Sequence, residues 1–358
     1  MSGISTKMLQ AATGSGGDQA ATVAYVASTS ADSITSIDLS DPSNLTELDS
    51  LSNANLDGAA GVALDLTNQV AYVVTFNADS ITSIDISNPN SLTELDSLSN
   101  ANLSAPFGVV LDPTNQVAYV ASNNVDSITS IDISNPNSLT ELDSLSNANL
   151  NGARDVALDL TNQVAYVASL SADSITSIDI SDPSNLTELD SLSNANLDGA
   201  IGVALDLTNQ VAYVASTSAD SITSIDISDP NSLTELDSLS NANLGAAYGV
   251  ALDLTNQVAY VASTSAGSIT SIDISNPNSL TELDSLSNAN LGAAFGVALD
   301  PTNQVAYVAS TSADSITSID ISNPNSLTEL DSLSNANLNG ARGVALNIPG
   351  PASTNAYE

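Results

Sequence analysis

Carboxylates are the only groups in this sequence numerous enough to do acid–base or metal chemistry. Among 358 residues there are 41 Asp or Glu and three Lys or Arg, a formal charge of −38, with no His, Cys or Trp. Without Cys or His there is no disulfide framework, no thiolate or imidazole zinc site and no Ser-His-Asp relay. Acids alone could support glycosidase-type catalysis by two carboxylates of different pKa, or hold a hard cation such as Ca2+. No EF-hand or nonapeptide calcium spacing occurs, so no cofactor is expected, with Ca2+ in a loop or a central channel as the one alternative.

The acids keep fixed stations. Five recurring positions hold 33 of the 41. Asp65 precedes a Thr-Asn-Gln run, Asp79 follows a Tyr-containing apolar run, and Asp85 lies in a Ser-Ile-Asp stretch. Glu47 and Asp49, in the word LTELDS, complete the set. A residue present in every copy marks a place in the repeat, whereas an active site needs a unique constellation. The acids are therefore read as turn caps and a solvated outer wall, with no catalytic residue and no enzyme activity among the expectations.

The elements that must carry these groups are set by repetition. The word VAYV recurs with its Tyr at Tyr25, Tyr72, Tyr119, Tyr166, Tyr213, Tyr260 and Tyr307, each step being 47 residues. Within one unit, Gly61 to Leu66 is a short apolar run, and Thr67, Asn68 and Gln69 form a polar turn. Val70 to Val74 is apolar on both faces, as in a strand buried on both sides. Ser80 to Ser87 is rich in β-branched residues. Leu92 to Leu98 suits a short helix or a strand, and is taken as an outer, twisted strand.

Four short strands per unit, seven times over, predict an all-β, seven-bladed β-propeller. The first unit lacks its Gly-Val-Ala-Leu-Asp strand, and the chain ends on one surplus copy, Gly343 to Leu346. One blade is then built from both termini, which closes the ring and removes a free sheet edge. The predicted organisation is a non-repeat head over 1–18, the propeller over 19–348 and a tail over 349–358.

At these residues the chain resembles known propeller families. GVALDPTNQVAYVAS, from Gly296 to Ser310, resembles the YVTN-type repeat of microbial surface proteins. SITSIDISNPNSL, from Ser80 to Leu92, resembles the LVIVD-type repeat. The near-identity of the units, the acidity and the short head are similar to propellers of marine bacteria and of structural proteins of marine bacteriophages. The resemblance implies the fold and leaves the ligand open, since one fold hosts many functions.

The units also differ, with bulky changes at one end only. The position entering the first strand is Ala60, Phe107, Arg154, Ile201, Tyr248, Phe295 or Arg342. The second position after the Tyr strand varies as well, and includes Phe76. Alternate connections of an up-and-down blade share an end, so these residues fall on one face, around the channel mouth, with Arg154 and Arg342 on roughly opposite sides. Aromatic and Arg side chains anchor interfaces. Phe76, Phe107, Arg154, Ile201, Tyr248, Phe295 and Arg342 are the candidate binding residues. Asp155 replaces the usual Gly beside Arg154 and is read as that Arg's ion-pair partner.

In the head, Ile4, Lys7, Met8 and Leu9 precede a flexible TGSGG stretch and suit a peptide anchor. Its residues lack the apolar core of a secretory signal. Three basic residues cannot build a nucleic-acid surface, and no apolar run approaches a membrane span. High negative charge suits a saline medium, where self-repulsion is screened. The favoured expectation is a non-enzymatic recognition protein of a phage virion. Its head would attach to other virion or surface-assembly proteins, and its variable face would touch a host glycan, a host protein or a neighbouring subunit. A bacterial or archaeal cell-surface or extracellular adhesion propeller is the second reading, and a carboxylate-based glycan hydrolase or lyase the third.

Overall fold

A computed structural model describes residues 22–348, and the anchor residues Ile4, Lys7, Met8 and Leu9 lie outside this range. The repeat builds seven four-stranded antiparallel sheets arranged as a ring. In one unit the strands are Ala59–Asp65, Val70–Thr75, Ser80–Asp85 and Thr93–Ser99. The ambiguous Leu-rich segment is thus an outer strand. The last strand, Ala341–Asn347, pairs with the first, Val23–Ser28, which closes the ring from both termini.

The core lies between blades. Tyr25, Tyr72, Tyr119, Tyr166, Tyr213, Tyr260 and Tyr307 are fully buried, each packed with the Ile, Val and Ala side chains of its own blade and the next. Burial pushes the Tyr25 hydroxyl up to about 12, and the other six are raised too, with a nearby Asp such as Asp65 adding to the effect.

The turn chemistry follows the sequence. Asp65 Oδ1 accepts from the Thr67 and Asn68 amides at 3.0 Å each, while Asn68 Nδ2 donates to Oδ2 at 2.7 Å. Asp79 sits in the left-handed region at φ 51°, and the matching residue of the sixth unit is Gly267, for which that conformation costs nothing.

The outer wall departs from the expectation of a merely solvated surface. Glu94 accepts from Asn53 Nδ2 at 2.9 Å and from Asn55 Nδ2 at 2.8 Å, both on the preceding blade. Asn53 caps a short 3-10 turn, Ala54–Leu56, and Asn55 lies within it. Asp49 Oδ2 accepts from the Leu92 amide of the next blade at 2.7 Å. Glu47 closes the circle on Asn335 and Asn337. These acids are clasps between blades, because an Asn amide presents two donors to a carboxylate that offers two acceptors.

Candidate functional site: the central channel

The innermost strands, Ala59–Asp65, Pro106–Asp112, Ala153–Asp159, Ala200–Asp206, Ala247–Asp253, Ala294–Asp300 and Ala341–Asn347, surround the channel. Their N-terminal ends carry the variable residues, and the structure brings these together. Phe76 stacks on Phe107 with ring centroids 5.5 Å apart and planes 9° apart. Tyr248 and Phe295 meet at 4.4 Å, tilted by 60°. Ile201 is buried beside them.

The two guanidinium groups converge although their strands stand across the ring. Arg154 lies 3.9 Å from the Phe107 centroid and Arg342 lies 4.7 Å from it. Arg342 also covers Phe295 at 4.5 Å and donates to the Tyr248 hydroxyl. Ala60, the smallest residue of the set, stands between Arg342 and Phe107 in ring order and leaves room for that reach. Aromatic faces attract cations, so the cluster holds both charges in the middle of the ring. The result is a packed plug across one end of the channel.

Asp155 is the exception in a ring of glycines. At Gly61, Gly202, Gly249, Gly296 and Gly343 a Cβ would come within 2.1 to 2.4 Å of the preceding-residue carbonyl on the next blade's inner strand. Asp155 carries a side chain at that station. Its Oδ1 accepts from the Val156 amide at 2.9 Å, and its Oδ2 accepts from Val203 on the next blade at 3.0 Å. The residue is 3 % exposed. Burial pushes its carboxyl up to about 8, against the opposing pull of the Val203 and Val156 amides.

A void of about 10 Å³ remains, lined by Phe107, Arg154, Asp155, Ile201, Tyr248 and Arg342 among others. That is at the lower limit for holding one water molecule. At the opposite end of the same strands lies a second cavity of about 520 Å³, lined mostly by Leu, Ala and Val, with Asp65, Thr67 and Pro113 at one side. Among the described residues no group of three carboxylates comes together that could hold a metal ion.

Residues 18–243 match the family described as lactonase, 7-bladed beta-propeller, and the chain belongs to that family. Residues 253–287 and 304–334 match the LVIVD repeat. No curated protein matches the sequence. Among solved structures, a protein from Lactobacillus plantarum is similar at TM-score 0.79 and 18 % identity, covering 91 % of this chain and 99 % of its own. A putative 6-phosphogluconolactonase from Bacteroides fragilis gives 0.78 at 12 % identity, over 93 % of this chain and 100 % of its own. The periplasmic gluconolactonase of Pseudomonas aeruginosa gives 0.77 at 12 % identity, over 92 % and 99 %. At these identities the likeness is one of fold.

Family membership overturns two expectations. The chain was read as a non-enzymatic recognition protein of a phage virion, and it belongs instead to a family of lactonase propellers. The error has a physical root. The acids at the recurring stations cap turns or clasp neighbouring blades, and none of them is unique to one blade. Asp155, read from the sequence as the partner of Arg154, is a buried acid of raised pKa that interrupts the ring of glycines. The matches carry no sign of a marine or phage origin.

Proposed function

We propose that this chain is a lactonase, a hydrolase that opens a cyclic ester inside the channel. The observation that carries the reading is Asp155: a single buried carboxylate where a Cβ is otherwise excluded, beside the protein's only two Arg residues. General bases work best with a pKa near the operating pH, and burial has moved this carboxyl into that range.

The chemistry needs three functions. Ionised Asp155 takes a proton from a water in the small void, which has room for that water alone, as the water oxygen bonds to the carbonyl carbon of a lactone presented from the wide end of the channel. Arg342, Arg154 and the Tyr248 hydroxyl supply donors toward the oxyanion that forms. The ring C–O bond then breaks, and the proton on Asp155 passes to the departing ring oxygen. The products are a hydroxy acid and the regenerated carboxylate.

An extracytoplasmic setting agrees with the periplasmic gluconolactonase among the solved relatives.

The test is turnover of a lactone panel, followed by acid release, with Asp155→Gly and Asp155→Asn alongside the native protein. Asp155→Gly restores the residue of the other six blades, so it should fold normally and lose about 100-fold or more in kcat/KM. Equal activity in all three proteins would reject the assignment.

A further inference from the structure

The larger cavity is apolar where the family's sugar-lactone relatives would call for polar walls. Its volume of about 520 Å³ falls in the range of small-molecule sites. Leu111, Leu158, Leu205 and Leu252 line it together with Ala157 and Ala204. It reaches solvent between Leu66, Leu160 and Leu207, which are 45 %, 39 % and 43 % exposed. Leu254, at the corresponding position of the next blade, is 36 % exposed. Such a ring of exposed Leu is unexpected on a chain of charge −38 unless something apolar uses it.

The cavity is also tied to the polar cluster by register. Ala157 follows Asp155 by two positions on one inner strand, and Ala204 follows Gly202 by two on the next. Two strand residues span about 7 Å, so the apolar wall begins within one substrate's length of the carboxylate.

We propose that this cavity holds the hydrocarbon arm of the substrate, which makes the substrate an uncharged lactone bearing an alkyl chain. This rests on the lactonase reading for the head of the molecule. The polar members of the lining are Asp65, whose oxygens already accept from the turn after it, and Thr67, so a phosphorylated or polyhydroxylated lactone would give up its hydration to a mostly Leu and Ala wall, whereas an alkyl chain is favoured there. Each added methylene should raise kcat/KM by roughly fourfold until the cavity is filled.

Two measurements on the full chain test it. The first is kcat/KM over a series of γ-lactones with linear alkyl substituents of increasing length, with gluconolactone for comparison. The second is binding of a dansyl-labelled alkyl probe, read by its emission shift and independent of turnover. Ala204→Phe fills the cavity, and Leu207→Asp charges its exposed rim at a position that does not hold the fold. The expected result is a rate that climbs with chain length, probe binding displaced by long-chain lactone but not by gluconolactone, and at least tenfold weaker probe binding in both variants. Turnover indifferent to chain length overturns the alkyl site and leaves the lactonase reading standing. Probe binding lost in both variants, with no lactone of any length turned over, overturns the substrate assignment and the lactonase reading together, while the cavity's preference for an alkyl ligand survives. Probe binding unchanged in both variants overturns the cavity as the chain's location.

Discussion

Arg342 crosses the channel to donate to the hydroxyl of Tyr248, a residue two inner strands away. That bond, together with the rings of Phe107 and Phe295 under the same guanidinium, fixes the charge at the centre of the plug. Tyr248→Phe removes the acceptor and keeps the ring. Loss of a hydrogen bond to a charged donor costs about 1.5 to 3 kcal/mol when buried. Denaturant unfolding should show a loss at the lower end of that range. Lactone turnover should fall about tenfold or more, since a donor to the oxyanion is removed and Arg342 is freed to move.

Asp155 predicts opposite pH trends for stability and rate. Its carboxyl is pushed up to about 8 in the folded chain, well above the value near 4 expected when unfolded. The folded state therefore holds a proton that the unfolded state has lost between these values. Its stabilising contribution is complete below about pH 4 and declines as pH rises toward 8, by on the order of 5 kcal/mol in all. The difference in unfolding free energy between native protein and Asp155→Gly should change by that order from pH 4 to 9, with the variant gaining relative to the native chain. A flat difference would show that the carboxyl titrates normally.

The rate should run the other way. A base must be ionised, so kcat/KM for a lactone should rise through about pH 8 and level off above it, after subtraction of spontaneous hydrolysis. Asp155→Asn should abolish that rise. A profile that falls through the same range would make the residue an acid rather than a base.

Glu94 and its six counterparts test the clasp. Glu94→Ala leaves the amides of Asn53 and Asn55 without their shared acceptor at a partly exposed site, and should cost about 1 kcal/mol in equilibrium unfolding. Glu47→Ala breaks the same contacts to Asn335 and Asn337 where the ring closes, and should cost the same within about 0.5 kcal/mol. A much larger loss for Glu47 would mean that the closing blade is the weak link.

The fold was legible because the 47-residue period fixes strand count, strand order and closure before any packing is considered. Turn acids such as Asp65 were legible for the same reason, since a carboxylate before Thr-Asn-Gln has backbone donors at hand. The clasp was not, because Glu94 and Asn55 are 39 residues apart and meet only once blades are stacked. The members of the channel cluster were legible as departures from the repeat. Their chemistry was hidden, since the pKa of Asp155 depends on burial and not on residue type. The apolar cavity was not legible because its Leu and Ala residues recur with little change from blade to blade and look like core in each one.

The glycine ring gives the sharpest contrast between two positions of one station. A Cβ at Gly202 would stand 2.1 Å from the Tyr248 carbonyl oxygen, which is backbone and cannot swing aside. Gly202→Ala must therefore move one inner strand against its neighbour, and should cost about 3 kcal/mol or more through overpacking. It should also displace Tyr248 from Arg342 and lower turnover with it. Asp155→Gly acts at the same station with the opposite sign, removing a buried carboxyl, so its melting temperature at pH 8 should equal or exceed that of the native protein. If Gly202→Ala is as stable as the native chain, the close approach of the inner strands is not what excludes side chains from this ring. The presence of Asp155 would then need no functional explanation.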